Sequence, residues 1–241
     1  MKTLFACLFL FAINAVVAQT VTPGDKSIQT NWIKNEKTQS RWLLVKDTLS
    51  YEIATILNDV QVSGKELKII TEVQVKGATT KWYDTTVVSL PSLKPIRHTS
   101  TNIERDIVIN YNEKVTGQYN DKMMKKVDEL DETTEKPYFG SSYYPYIIRL
   151  LPLKEGYTAE LPIYDYHPKL KGEMKISITD VKSGKFKSKK GGMVDVWEVT
   201  TVSNLAGEKN IVKYYIGKSD RKLWRQDIDA LYQKMLIRLL E

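Results

Sequence analysis

Few of the residue types that build most catalytic and metal sites occur in this chain. Cys7 is the only cysteine, and His98 and His167 are the only histidines, among 241 residues. The sequence contains neither a Gly-x-Ser-x-Gly nucleophile motif nor a glycine-rich phosphate loop, and its acidic residues do not stand in a recognisable glycosidase context. These absences predict a protein that is not an enzyme and that has no cofactor.

Metal binding is the alternative that the histidines leave open. Asp165 and His167 are two residues apart, so on a strand they share a face and could supply two ligands. A zinc site takes at least three protein ligands, and no further ligand follows at a motif spacing. We therefore expect no metal site, and we expect that replacing both His98 and His167 by Gln leaves the biological role intact.

Residues 1–18 have the pattern of a secretory signal peptide. Lys2 precedes an apolar run from Leu4 to Val17, and small or apolar residues occupy the positions that signal peptidase reads, so cleavage is expected between Ala18 and Gln19. The run is shorter than the roughly 20 residues of a membrane span, so the mature chain should have no transmembrane segment. We expect an exported protein, periplasmic or outer-membrane-associated in a bacterium.

The composition indicates a mature domain that is stabilised by its core alone. Removing residues 1–18 removes the single cysteine, so no disulfide can form. A Leu-Phe-Ala-Cys sequence at residues 4–7 resembles a lipidation box, but only six residues precede Cys7, and we expect no lipid there. The net charge of +7 is interspersed along the chain. Because nucleic-acid binding uses basic clusters on one face, we expect no nucleic-acid partner.

Apolar residues recur at every second position through most of the chain. In Leu67–Val75, for example, Ile69, Thr71 and Val73 share one face, which is typical of a half-buried strand. Turn residues separate the stretches, including a turn expected at residues 182–184, and no linker divides them. The pattern therefore predicts one β-rich domain over residues 19–241. The other expected strands are Ser50–Leu57, Trp82–Leu90, Ile103–Tyr111, Tyr157–Tyr164, Glu173–Thr179, Val194–Val202, Asn210–Ile216 and Lys222–Gln226.

Two segments fit both a strand and a helix. Residues 120–131 carry apolar side chains at helical spacing, but they also contain a turn signal, and a hairpin is the favoured interpretation. The apolar residues in 230–240 fit both the helical period and the strand period, and as the last piece of a meander these residues are predicted to be a strand.

One short helix is predicted over Ser142–Leu151. Ser142 can cap its first turn, and Pro145 falls where proline is tolerated. Pro152 then ends it. The apolar face consists of Tyr144, Ile147, Ile148 and Leu151.

Several short motifs carry a resemblance to a known group of proteins. They are Ser92–His98, Tyr111 with Val115-Thr116-Gly117, Arg149–Leu153 with Gly156-Tyr157, and Tyr214–Ile216 followed by Arg221–Leu223. With these motifs the chain resembles exported bacterial proteins of unknown function whose half-barrel is similar to that of lipoprotein-localisation factors (LolA-like). The resemblance implies a mainly β fold, a single strongly curved antiparallel sheet with one or two short helices across its concave side. In the relatives with a known role, that side takes up acyl chains.

The candidate binding residues come from an aromatic cluster and the predicted helix. Half of the fourteen tyrosines lie between residues 138 and 166, and tyrosine suits a core, a ligand cavity or a partner surface. The expected function is binding of an apolar ligand, such as a lipid or acyl chain. The alternative is an envelope interaction module that holds a protein or glycan partner through its aromatic surface. The candidate ligand-binding residues are Tyr143, Tyr144, Tyr146, Ile147, Ile148, Leu151, Trp82 and Trp197.

Overall fold

The chain folds around one large sheet. The computed structural model describes residues 18–167, 170–204, 209–230 and 233–241, so the predicted signal peptide, apart from Ala18, lies outside the described residues. Within these ranges sixteen strands form one mostly antiparallel sheet, and one short α-helix and one short 3-10 turn accompany it. In the part of the chain that the structure describes, no helix has the length and apolar composition that crossing a membrane requires.

The first nine strands lie within residues 19–132, and the 3-10 turn Thr30–Trp32 lies between the first two. They are β1 Gln19–Thr20, β2 Glu36–Lys46, β3 Leu49–Ser63, β4 Glu66–Val75, β5 Trp82–Ser89, β6 Pro95–Thr101, β7 Arg105–Tyr111, β8 Val115–Asp121 and β9 Lys126–Glu132. From β2 to β9 each strand pairs antiparallel with the next, as in a meander.

The remaining elements comprise the helix and a second meander. They are β10 Phe139–Gly140, α1 Tyr144–Arg149, β11 Ala159–His167, β12 Leu170–Lys187, β13 Met193–Ser203, β14 Asn210–Gly217, β15 Leu223–Ala230 and β16 Gln233–Leu240. The two short strands β1 and β10 pair parallel with β11, and β11 to β16 follow one another antiparallel.

A single strand pairing joins the two meanders. The last strand, β16, lies antiparallel beside β2, with Leu236 opposite Leu43 and Ile237 opposite Trp42. The strand order is therefore β1-β11-β12-β13-β14-β15-β16-β2-β3-β4-β5-β6-β7-β8-β9. The sheet is not closed. The strand order supports a mainly β fold built on one large sheet, and the strong curvature of a half-barrel stays a prediction.

Most of the period-two predictions agree with the strands. Residues 120–131 form the β8–β9 hairpin and residues 233–240 form a strand, so both of these predictions are confirmed. The turn predicted at residues 182–184 is wrong, because these residues continue β12 in register with Trp197 and its neighbours on β13. The strands β2 and β6 were not predicted, because polar residues occupy alternate positions that are apolar in a typical half-buried strand.

The helix is shorter than the predicted Ser142–Leu151. It runs over Tyr144–Arg149, and Pro145 lies in its first turn as expected. Ser142 does not cap it: the N-terminal cap position is Tyr143, and the Ser142 hydroxyl instead lies 2.9 Å from the Thr86 hydroxyl on β5. Ser142 is thus a link to the sheet.

The core consists of a main cluster around α1 and smaller clusters along the sheet. Ile147, Ile148 and Leu151 are fully buried in the main cluster against apolar side chains of β11 to β14. A second, aromatic cluster joins strands that are far apart in the strand order: the ring of Tyr164 on β11 lies 6.1 Å from that of Tyr111 on β7. We call the face of the sheet that carries α1 the helix-bearing face.

The pairing of β7 with β8 depends on a glycine. Gly117 lies opposite Ile109, and a Cβ atom at this position would stand 1.9 Å from the carbonyl oxygen of Val108. Two atoms cannot approach so closely, so the strands would have to separate locally.

We expect Gly117→Ala to lower the free energy of unfolding by at least about 3 kcal/mol, because its methyl group overlaps backbone rather than a flexible side chain. Gly192→Ala is the matched control, since nothing lies within 4 Å of a Cβ there, and it should change stability by less than about 0.5 kcal/mol. Urea denaturation of both variants measures the difference. Equal stabilities would contradict the close approach of β7 and β8.

Candidate functional site

The helix α1 separates the packed core from an open hollow. Pro145, Tyr146 and Arg149 lie on one side of α1 and line the hollow, together with Ser142 just before the helix. The opposite side of α1 supplies the buried Ile147 and other core residues. The helix therefore covers the sheet with one side and leaves space beside the other.

A buried ion pair fixes the end of α1 to β2. The guanidinium of Arg149 donates two hydrogen bonds to the carboxylate of Glu36, at 2.5 and 3.1 Å, and both side chains are almost wholly buried. The Nε of Arg149 also donates to the carbonyl oxygen of Arg221 at 2.6 Å. Two parallel bonds to one carboxylate fix the orientation of the arginine as well as its position.

Hydrogen bonds hold the start of the helical segment to other strands. The Tyr143 hydroxyl donates to the carbonyl oxygen of Leu93 at 2.9 Å, and the Ser141 hydroxyl donates to the Asp165 carboxylate on β11 at 2.5 Å. Because these anchors lie on both meanders, the segment is fixed across the helix-bearing face rather than along one strand.

The first part of the hollow, which we call the first lobe, has a volume of about 290 Å³. Apolar side chains of β3 and β4 and the rings of Tyr143 and Tyr146 form part of its wall, and burial raises the pKa of Tyr146 to about 12, so its phenol stays protonated. The sheet residues of its wall are Glu36, Thr38, Ser40, Ile56, Asn58, Val60, Ile69, Thr71, Lys222, Leu223, Gln226 and Ile237. The lobe is thus an amphipathic space.

The second lobe has a volume of about 260 Å³ and a more polar wall. Three charged side chains line it, Asp84 on β5, Arg105 on β7 and Asp165 on β11. The remaining residues of the wall are Ile69, Thr71, Thr86, His98, Ser100, Ile107, Ile109, Tyr111, Ser141, Ser142 and Tyr166. Among the described residues no three His, Cys, Asp or Glu side chains are grouped so as to hold a metal ion.

The two lobes adjoin each other. Ile69, Thr71 and Ser142 belong to the walls of both. Ser142 is exposed to solvent, so this shared boundary lies at an opening and not deep in the core. A molecule that occupied one lobe could extend into the other past these three residues.

His98 is buried in the wall of the second lobe. Its Nδ1 lies 3.0 Å from the Thr86 hydroxyl, which lies 2.9 Å from the Ser142 hydroxyl. Burial lowers the pKa of His98 below its usual 6.5, with the charge of Asp84 opposing the shift. The imidazole is therefore neutral at pH 7 and serves as a hydrogen-bonding group of the wall.

The structure separates the predicted site residues into three groups. Tyr143 and Tyr146 line the first lobe. Tyr144 lines neither lobe and packs against the core, with its hydroxyl 3.3 Å from that of Tyr214. Ile147, Ile148 and Leu151 are in the packed core.

Neither predicted tryptophan lines a lobe. Trp82 packs edge-on against Trp42 at 6.2 Å in a separate cluster, and Trp197 lies beneath the ammonium group of Lys218, 3.9 Å from the ring centre. Their part in binding stays a prediction.

Sequence reasoning missed most of the charged residues of the site, and it considered Asp165 only as a metal ligand beside His167. Glu36 and Arg149 are 113 positions apart, and Asp84, Arg105 and Asp165 lie on three different strands, so no motif spacing connects them. The pattern of polar residues in β5 and β6 could have indicated the second lobe. In β5 and β6 the buried positions carry Thr86, His98 and Ser100, and polar residues at buried alternate positions indicate a wall that faces a cavity.

Comparisons with known proteins concern the family and the fold. The family model described as a protein of unknown function (DUF3108) matches residues 40–238. A solved structure, the β-barrel-like protein of domain of unknown function DUF1849 from Brucella abortus, is similar with a TM-score of 0.56 at 11% identity, over 86% of this chain and 96% of that chain. This likeness concerns the fold alone. None of the curated proteins matches the sequence. The expectation of a family of unknown function is confirmed, and the likeness to lipoprotein-localisation factors stays a prediction.

Breaking the Glu36–Arg149 pair should destabilise the fold. We expect Glu36→Gln to lower the free energy of unfolding by about 3 to 5 kcal/mol, because it leaves a buried guanidinium without its counter-ion. Lys114→Met, which breaks the exposed pair with Asp131, is the control and should cost less than about 1 kcal/mol. Thermal and urea unfolding measure both, and equal small losses would contradict an anchoring role for the buried pair.

His98 should titrate below pH 6.5, because burial disfavours its charged form. As the pH falls, the His98 imidazole is protonated at a higher pH in the unfolded chain than in the folded chain. The free energy of unfolding is therefore highest above the pKa of the unfolded state and falls as the pH drops through the pKa of the folded state. Nuclear magnetic resonance of the imidazole, with His167→Gln to assign the signals, measures the pKa directly. The acid-induced fall in Tm below about pH 6.5 should be smaller in His98→Gln than in the parent. A measured pKa of 6.5 or higher would show that the ring is solvated.

Proposed function

This chain belongs to the DUF3108 family of proteins of unknown function, and we propose that it is an exported, non-enzymatic protein of the bacterial envelope that binds a lipid-like ligand in the hollow beside α1. The observation that carries the proposal is the pair of adjoining lobes that α1 leaves unfilled on the helix-bearing face. An acyl chain would occupy the first lobe, against Ile56, Val60 and Ile69.

The position of α1 supports a stable hollow. Ile147, Ile148 and Leu151 already fill the core, while Arg149 is held by Glu36 on the side of the first lobe. Collapse of the helix into the lobe would break this buried pair and uncover the core residues. The protein's own side chains therefore do not close the space.

The size and chemistry of the first lobe also support a lipid-like ligand. Its volume of about 290 Å³ is near the lower end of the roughly 300–1,000 Å³ typical of small-molecule pockets, which suits one chain better than two. Each methylene that leaves water gains about 0.8 kcal/mol, so a short length of chain is enough for measurable binding.

A half-barrel that curves around α1 is part of the same proposal. Contacts between distant strands support it: Tyr119 on β8 and Tyr166 on β11 have ring centres 5.9 Å apart, although many strands separate them in the strand order. Such curvature, similar to that of lipoprotein-localisation factors, would give the two lobes one common opening.

Aromatic burial bears on the alternative, an envelope interaction module that binds a protein or glycan partner. Six of the seven tyrosines between residues 138 and 166 are buried, and the seventh, Tyr144, is only partly exposed. A surface that recognised a partner through this cluster would need exposed rings. The geometry therefore favours an internal ligand over a partner bound through the aromatic cluster.

Filling the first lobe should abolish binding without unfolding the protein. Thr38 lines the lobe, is half-buried and makes no hydrogen bond through its side chain in the described part of the chain. We expect Thr38→Trp to weaken binding of a fluorescent fatty acid at least about tenfold, because the indole occupies the space of the chain. Fluorescence titration of the delipidated protein gives the affinity, and circular dichroism checks the fold.

The neighbouring Gln39 provides the matched control, because it is exposed and alternates to the opposite face of β2. Gln39→Trp should bind the probe as the parent does. Loss of binding in Gln39→Trp instead of Thr38→Trp would move the site to the outer face. If the folded, delipidated parent binds no acyl probe, the interaction module becomes the better hypothesis.

A further inference from the structure

We propose, resting on the proposed function, that the second lobe receives the headgroup of the same ligand and that this headgroup is zwitterionic, with an ammonium group beside a phosphate. The juxtaposition that carries this inference is the set of Asp84, Asp165 and Arg105 around one cavity that adjoins the first lobe.

The three charges lack counter-ions of their own. In the described part of the chain none of them forms an ion pair with another side chain. Arg105 donates one long hydrogen bond, 3.4 Å, to the Ser100 hydroxyl, and Asp165 accepts one from Ser141. All three side chains are half-buried, so a ligand that displaced the water around them would have to supply the opposite charges.

The balance of charge selects the class of headgroup. Two carboxylates and one guanidinium give the lobe a net charge of −1, because His98 is neutral at pH 7. An anionic headgroup would satisfy Arg105 but meet two carboxylates, and a purely cationic one would face Arg105. An ammonium group against the carboxylates and a phosphate against Arg105 satisfy all three.

The surrounding groups suit such a headgroup better than a metal ion. The hydroxyls of Ser100 and Ser142 can donate hydrogen bonds to phosphate oxygens or to a glycerol backbone. A divalent cation would need more ligands close together than the described residues supply. Since Thr71 and Ser142 belong to both lobes, the ester region of the ligand would lie at the boundary, with its chain in the first lobe and its headgroup in the second.

The test compares three single-chain lipids with the same acyl group, each below its micelle concentration. Lysophosphatidylethanolamine is zwitterionic, lysophosphatidylglycerol is anionic, and a monoacylglycerol is uncharged. Isothermal titration calorimetry of the delipidated protein should show the zwitterionic lipid binding about tenfold more tightly than either of the others. Three lipids that bind equally well would overturn the headgroup inference and leave the proposed function standing. No binding of any of them by folded protein would overturn both.

Variants assign the two ends of the headgroup. Asp84→Asn should remove the preference for the ethanolamine over the glycerol headgroup, and Arg105→Met should remove the preference for lysophosphatidylethanolamine over monoacylglycerol. Affinity for monoacylglycerol should stay unchanged in both, which shows that the first lobe is intact.

The matched controls lie on the other face of β6 and β7, two strands that line the second lobe. Asp106 is the neighbour of Arg105 and pairs with Lys122, and Arg97 alternates to the face opposite His98. Asp106→Asn and Arg97→Met should keep the parent's order of affinities. A change of preference in the controls as large as in Asp84→Asn and Arg105→Met would show that overall charge, and not the second lobe, is responsible.

Discussion

The buried pair between Arg149 and Glu36 is the constraint on which the rest of the site depends. A helix of six residues has no independent stability in water, so α1 exists only because the protein around it holds it in place. The arginine fixes the end of α1 to β2, one of the two strands at the junction of the meanders. This attachment decides which side of the helix is packed and which side borders empty space.

Apolar core residues close the space beneath a helix by packing, whereas the polar side chains on the helix-bearing face keep it open. In an ordinary sheet the face beneath a helix is uniformly apolar and closes by packing. Here Thr86, His98 and Ser100 occupy buried positions, and hydrogen bonds from His98 to Thr86 and from Thr86 to Ser142 join two of them to the helical segment. A face of this kind cannot collapse without burying unpaired polar groups, so the same residues that line the lobes also keep them open.

The sequence predicts a strand well where its buried side chains are apolar and poorly where they are polar. β4 shows a clear alternation, with Leu67, Ile69 and Val73 buried. β6 has the same geometry but buries His98 and Ser100, which no search for hydrophobic period would find. The missed strands β2 and β6 each contribute polar residues to a lobe, Glu36 and Thr38 to the first and His98 and Ser100 to the second, so this part of the site was missed with them.

The sequence likewise predicts aromatic residues of the site and misses most of its charged ones. The aromatic cluster pointed to Tyr143 and Tyr146, which do line the first lobe, because they are close in sequence to the helix signal. Trp82 was predicted to lie on the sheet at the ligand site, but the face of a strand that meets the helix depends on register, and Trp82 packs against a different cluster. The charged residues come together only through long-range pairing of strands.

The pairing of β16 with β2 has a consequence for the order in which the molecule can be made. β2 to β9 are synthesised first and can pair with one another, but their connection to the second meander waits for the strand that comes last in chain order. Contacts between such distant parts of a chain form slowly. A polypeptide of this design stays incomplete, with one edge of β2 unpaired, until β16 has emerged.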